Sequence, residues 1–356
     1  MTKRILLTGA SGFVGSHVLR HILTTTDWHV VCPVTFRHKG ISDRLVTAME
    51  DQDQSRVTIV QTDLTAPISS VSAHKFGDIN YILNVASESH VDRSIEEPAA
   101  FIQANVALIT NILDYARTLE NLEVFLQVST DEVYGPARPG EAHREWIDNI
   151  KPSNPYSASK AAQEAVAYSY WRTYDVPLII SNTMNIIGET QDSEKFFPKT
   201  LKNVLAGTEM TIHAAPNGDI GSRFYLHARN QADGLLFLIK EFTGEGSMPY
   251  VWEDTASGEV ESLRYSHGGT VPPRYHIVGE REVDNLEMAQ LIAQAAGKEL
   301  KYKLEDFHSS RPGHDLRYAL DGAKIEAIGW TAPVPLEASI KSTVEWTLSH
   351  PEWLAV

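Results

Sequence analysis

Seven residues near the start of the chain, Gly9-Ala10-Ser11-Gly12-Phe13-Val14-Gly15, constrain the fold more than any other stretch. They follow an apolar, β-branched run at 4–8 and open an amphipathic stretch at 12–23, so the order is strand, turn, helix. Glycines at this spacing allow a tight turn, close approach of the backbone to a pyrophosphate, and packing of helix on strand. The helix N-terminus then offers N–H donors and the positive end of its dipole to phosphates. The pattern is G-x-x-G-x-x-G rather than G-x-G-x-x-G, and an ordinary turn is the plain alternative. The placement between strand and helix is what favours a dinucleotide. Gly9, Ser11, Gly12, Phe13, Val14 and Gly15 are therefore candidate cofactor residues.

The same alternation continues. Runs at 28–34, 56–61, 79–85, 124–129 and 176–181 read as buried strands, and 99–118 and 157–173 as helices. Strands alternating with helices predict an α/β fold, a doubly wound Rossmann-type parallel sheet with a smaller substrate-binding lobe. The rhythm loosens near Asn182, which places a cofactor-binding domain at 1–181. Residues 182–356 then form mainly the substrate lobe, with the chain crossing back to the first domain. Residues 243–273, with five glycines and three prolines, read as a surface insertion, either a loop or a short hairpin, before a strand-like 275–278.

Forty-six acidic against 31 basic side chains give a net charge of −15, which disfavours nucleic acid as a partner. An anionic substrate would need a local basic cluster. The one cysteine, Cys32, excludes an internal disulfide framework and a cysteine-built zinc site. With no signal-peptide layout and no apolar stretch of bilayer length, the expectation is a cytoplasmic protein with no membrane partner and no metal.

Enzymes specific for NAD usually offer an acid to the adenosine ribose at the end of the second strand. This chain has Val34-Thr35-Phe36-Arg37-His38-Lys39, with no acid. A guanidinium at Arg37 would suit a 2′-phosphate, leaving NAD and NADP both open. Asp63 and Leu64, after the third strand, are placed to meet the adenine edge or to form a plain turn.

Tyr156-Ser157-Ala158-Ser159-Lys160 opens a helix after a turn, so Tyr156 and Lys160 share one face. A nearby ammonium, helped by the cofactor's positive nicotinamide ring, would lower the phenol's pKa, letting Tyr156 take a hydroxyl proton while hydride leaves the same carbon. Ser129-Thr130-Asp131-Glu132-Val133-Tyr134-Gly135 follows a predicted strand, and ligands lie beyond the carboxyl ends of parallel strands. Asp131 and Glu132 could divide acid and base work between them, as a 4,6-elimination requires.

With these motifs in order, the sequence resembles the dTDP-glucose 4,6-dehydratases among the extended short-chain dehydrogenases. The resemblance also rests on Ala86-Ser87-Glu88-Ser89-His90-Val91-Asp92-Arg93-Ser94 and Arg311-Pro312-Gly313-His314-Asp315, and covers nearly the whole chain apart from the insertion. It implies Tyr156 as the base at C4, Lys160 on the nicotinamide ribose, Thr130 on the C4 oxygen, Asp131 as the acid at C6 and Glu132 as the base at C5. It further implies Ala86 and Ser87 at the cofactor, with Ser89, His90, Asn185, His276 and Asp315 lining the pockets. Lys195, Arg223 and Arg311 would meet the diphosphate of a nucleotide-sugar substrate, and the assembly would be a homodimer.

Three departures fall in the substrate half: Asn185-Ile186-Ile187-Gly188 where the family commonly has Asn-Asn-Tyr-Gly, Arg223-Phe224-Tyr225-Leu226 where it has Arg-Asp-Trp-Leu, and His276 where Asn is usual. Two other readings compete: a nucleotide-sugar 4-epimerase, which oxidises C4 without elimination, and a catalytically silent dinucleotide-binding protein. The latter has no need of Asp131, Glu132, Tyr156 and Lys160 together.

Overall fold

The computed structural model describes residues 2–37, 39–215, 218–244, 251–254, 259–262, 271–306 and 317–355. Its centre is a sheet of strands β1 (Arg4–Thr8), β2 (His29–Val34), β3 (Val57–Gln61), β4 (Tyr81–Asn84), β5 (Val124–Thr130), β6 (Leu178–Thr183) and β7 (Arg274–Ile277). The spatial order is β7-β6-β5-β4-β1-β2-β3, and every neighbouring pair is parallel. The order reverses beside β1, where an open α/β sheet leaves its ligand crevice.

Both faces of the sheet are covered, which is why its strands are nearly continuous apolar runs. Ile5 and Leu7 point to one face and pack with Val18, Leu19 and Ile22 of α1 (Phe13–Thr25). Leu6, on the other face, joins Ile109 and Ile112 of α2 (Pro98–Ala116) and Trp171 of α3 (Pro155–Tyr174). The pleat alone explains this division. A smaller core beyond the sheet's carboxyl edge joins α4 (Phe196–Ala206), α6 (Asn285–Ala295) and α7 (Leu336–Ser349) through Leu201, Met288, Ile292 and Ile340. Within the region expected to be an insertion, Val251–Asp254 and Glu259–Ser262 pair antiparallel.

The second half of the chain also builds the first layer. Helix α5 (Ala228–Thr243) packs on α1, contributing Leu235 and Leu238 to the same core as Ile5. Strand β7 extends the sheet beside β6 in register Arg274 to Ile180 and His276 to Asn182. Arg274 is 2% exposed, and its Nη2 donates to Glu164 Oε2 of α3 at 2.6 Å. Its Nη1 donates to the hydroxyl of Tyr134 at 3.0 Å. Breaking one side of a buried ion pair strands the other charge. Arg274→Met should therefore lower stability by about 3 to 5 kcal/mol, and adding Glu164→Gln should recover much of that loss, both read by denaturant unfolding. A single-variant loss under about 1 kcal/mol would remove the pair from this role.

Candidate active site

A cleft of about 1460 Å³ runs along the carboxyl edge of the sheet, from the glycine loop to the second core. At one end the backbone turns at Gly9, with φ +74°, where a Cβ would lie 2.9 Å from the Ala86 nitrogen. A Cβ on Gly15 would lie 2.0 Å from the Gly9 carbonyl, so α1 sits as close to the turn as only glycine permits. Gly12 caps α1 without a side-chain bond, leaving first-turn N–H groups toward the cleft. This cradle fits a pyrophosphate. Ser11, Phe13, Val14, Ala86 and Ser87 line the same end. Arg37, Asp63 and Leu64 line its mouth, where Arg37 Nη1 meets Asp63 Oδ2 at 2.6 Å.

In the middle of the cleft, β5 delivers Thr130 and then turns through a single 3-10 turn, Asp131–Tyr134. Thr130 Oγ1 donates to Asp131 Oδ1 at 2.9 Å and accepts from the Glu132 amide at 3.3 Å. The turn closes at Gly135, with φ +77°, where a Cβ would lie 2.5 Å from the Lys151 carbonyl. Burial, then the charge of Glu132, pushes the Asp131 carboxyl up to about 7. Its Oδ2 is buried with no hydrogen-bond partner. Glu132 lies on the cleft wall and is held by Asn154, whose Nδ2 donates to Oε2 at 3.0 Å. Asn154 is also the N-cap of α3, its Oδ1 accepting from the Ser157 amide at 2.8 Å. One side chain thus ties the start of the Tyr156 helix to the Glu132 carboxylate.

Tyr156 and Lys160 both line the cleft, one turn apart on α3. The Tyr156 amide is fixed by Ser94 Oγ at 3.1 Å. The phenol is pushed well above its usual range by burial first, then by Glu132 and Asp131, with the Thr130 side chain opposing. Lys160 is held by two acceptors beneath the cleft. Its ammonium donates to the Val128 carbonyl and to Gln163 Oε1, both at 2.8 Å. Burial lowers Lys160 to about 8, against the pull of Glu164.

Toward the far end lie Ser89, His90, Asn185, Lys195 and Arg223. His90 Nε2 stands 3.0 Å from Glu194 Oε1. The Arg223 guanidinium lies 4.7 Å from the centre of the Tyr318 ring, and its charge reaches Asp131. Arg311 and Asp315 lie outside the described residues.

His276 is a correction. It is fully buried in β7, behind the site rather than on the cleft. Its Nδ1 faces the Asp321 carbonyl at 3.1 Å, so Nδ1 carries the proton and Nε2 accepts from the Tyr134 hydroxyl at 2.9 Å. Both ring nitrogens are spent on packing partners. Residues the sequence reading passed over are Asn154, Asn182 and Glu164. Asn182 Nδ2 donates to the Thr130 carbonyl at 3.0 Å and to Glu164 Oε1 at 2.8 Å, anchoring the end of β5. Asn154 stood before Pro155 as an N-cap signal, and Glu164 one turn beyond Lys160.

Among the described residues, one cluster has metal-ligand composition: His17, Glu189 and His227. His17 Nε2 donates to the Glu189 carbonyl at 2.9 Å. His227 Nδ1 accepts from the Arg229 amide at 3.0 Å, which leaves the proton on Nε2, facing the Glu189 carboxylate at 3.1 Å. No described helix is long and apolar enough to cross a membrane.

Residues 5–250 match the model of the NAD dependent epimerase/dehydratase family. The chain is 30% identical to dTDP-glucose 4,6-dehydratase 1 of Escherichia coli (strain K12), with 99% of this chain and 94% of that protein aligned. It is 31% identical to the low-salt glycan biosynthesis protein Agl12 of Haloferax volcanii, over 98% and 99% of the two chains. Its fold superposes on the crystal structure of DesIV, a dTDP-glucose 4,6-dehydratase from Streptomyces venezuelae with NAD bound, with TM-score 0.78, 27% identity and 98% of each chain covered. The chain belongs to the NAD dependent epimerase/dehydratase family.

Proposed function

We propose that this protein is a nucleotide-sugar 4,6-dehydratase, a hydro-lyase that converts a nucleotide hexose of the dTDP-glucose type to its 4-keto-6-deoxy form. The observation that carries the reading is the pair Asp131 and Glu132 at the centre of the cleft, beside Tyr156: the buried carboxyl is raised to about 7, and its neighbour is held by Asn154. An epimerase has no use for such a pair. The dehydratase relatives support the same choice. We assign residues 1–181 to cofactor binding and 182–356 mainly to the sugar nucleotide.

The glycine loop would hold the pyrophosphate of a dinucleotide, and Lys160 its nicotinamide ribose. When bound, the nicotinamide supplies the hydride acceptor at C4 and the donor at C6, and its positive charge opposes the burial that raises Tyr156. Tyr156 removes the C4 hydroxyl proton while the Thr130 hydroxyl holds that oxygen. Glu132 removes the C5 proton, which the new C4 carbonyl acidifies. Asp131, protonated because it is buried beside a second carboxyl, delivers its proton to the departing C6 hydroxyl as water. Asn185, Lys195 and Arg223 would orient the sugar and its diphosphate, giving local positive charge to a chain of net charge −15.

We extend the reading to a cytoplasmic homodimer, supported by the family resemblance alone for the dimer and by a lone buried Cys32 for a reducing compartment. Light scattering should give twice the chain mass; a monomer at micromolar concentration would remove the dimer.

Glu132→Gln should cut formation of the 4-keto-6-deoxy sugar by roughly 10²- to 10⁴-fold, with dinucleotide affinity unchanged. Mass spectrometry of products from dTDP-glucose reads it. Undiminished loss of water would take Glu132 out of its role, and a C4 epimer as sole product of the native enzyme would overturn the dehydratase reading.

The protonated form of Asp131 is the working acid, and its pKa is raised, so its contribution is full below about 7 and declines as pH rises through that value. Single-turnover loss of water should therefore slow through that range. An elimination rate that climbs steadily to higher pH would exclude Asp131 as the acid.

A further inference from the structure

The mouth of the cofactor end carries cations where a ribose-binding acid would stand. Strand β2 ends at Val34, and the next turn presents Thr35, Arg37 and Lys39 to the cleft. The turn is built. Phe36 sits in the left-handed region at φ +52°, a costly conformation for an aromatic residue. Its side chain is turned to solvent, 47% exposed, so packing of the ring is not what the conformation secures. The Ile41 amide donates to the Ser11 carbonyl at 3.0 Å, seating the turn on the glycine loop. From beneath, Arg44, 1% exposed, donates to the carbonyl of Lys39 and, through Nε at 3.0 Å, to that of Thr190.

The nearest carboxylate is spent. Asp63 Oδ1 accepts from the Thr65 amide at 3.0 Å and hydroxyl at 2.6 Å, and Oδ2 accepts from Arg37 Nη1 at 2.6 Å. Its charge is answered by Arg37. The Arg37 side chain lines the cleft, is 66% exposed and gives one of its five N–H groups to Asp63. Lys39 stands by at 3.2 Å from Glu194 Oε1 and 3.6 Å from Asp192 Oδ1, neither as close as the Arg37 pair.

We propose that Thr35, Arg37 and Lys39 form a subsite for a phosphate on the 2′-oxygen of the adenosine ribose, so that this protein binds NADP as well as NAD. Arg37 is the principal ligand, its planar fork suited to two phosphate oxygens, with the Thr35 hydroxyl and Lys39 ammonium beside it. The inference rests on the dinucleotide reading of the glycine loop. An acid at the end of β2 would repel this phosphate; here the turn offers none.

Calorimetry on the full-length protein freed of nucleotide tests it with four ligands: NAD, NADP, ADP and adenosine 2′,5′-bisphosphate. NADP should bind at least as tightly as NAD, and the bisphosphate at least ~10-fold more tightly than ADP, a margin that shrinks with added salt. Arg37→Ala should weaken NADP by roughly 10- to 100-fold and NAD by less than about 3-fold. NADP binding 10-fold or more weaker than NAD would overturn the subsite, as would an Arg37→Ala variant that weakens both alike. Failure of either dinucleotide to bind would instead remove the cofactor reading, and the subsite with it.

Discussion

The buried ion pair of Arg274 and Glu164 is the contact on which the rest of the site depends. Arg274 arrives on β7, more than a hundred residues after Asp131, Glu132 and Tyr156, and Glu164 stands on the same helix as Tyr156 and Lys160. Through its other oxygen Glu164 holds Asn182 of β6, which holds the Thr130 carbonyl. Through its other nitrogen Arg274 holds Tyr134 at the end of the catalytic turn. Two charges that would each be costly to bury alone are therefore fixed together, and the fixing sets the relative positions of β5, β6, β7 and α3. Asp131, Glu132 and Tyr156 all project from elements tied to that set.

The electrostatics above this network separate two kinds of carboxyl. Asp131 is enclosed and beside a like charge, so its carboxyl is raised to about 7. Glu189, behind the cleft, is buried too, but the His227 side chain facing it holds it down to about 2. Burial raises a carboxyl unless a donor answers its charge, and these two residues show both outcomes within one protein.

Much of this was legible in the sequence. Strand 4–8 was read to the residue because its apolar run is bounded by a glycine turn. The strand read at 176–181 instead runs Leu178–Thr183. Pro177 offers no N–H to the ladder, and the polar Ser181, Asn182 and Thr183 continue the strand because partners on β5, α3 and β7 satisfy Asn182 and Thr183. The cleft residues of the glycine loop, the catalytic turn and α3 carry local signatures, and they line the cleft together. His276 was misread because its side-chain partners, Tyr134 and the Asp321 carbonyl, lie 142 and 45 residues away, where no local pattern reaches. Lys160 was placed on the right face, but its ammonium follows Val128 and Gln163, and spacing along a helix does not reveal which acceptor wins.

That the sheet takes its last strand from residues 274–277 bears on how such a protein can be divided. The first 181 residues contain the glycine loop, Asp131, Glu132 and the Tyr156 helix, and look like a portable module. Cut there, the chain would end inside β6, expose the edge of the sheet that β7 covers, and leave Glu164 charged with no guanidinium opposite. It would also strip α5 from α1, baring the apolar face behind the glycine loop. An unpaired strand edge beside a bare apolar face invites pairing between copies. Residues 1–181 hold much of the cleft but not the whole of the sheet.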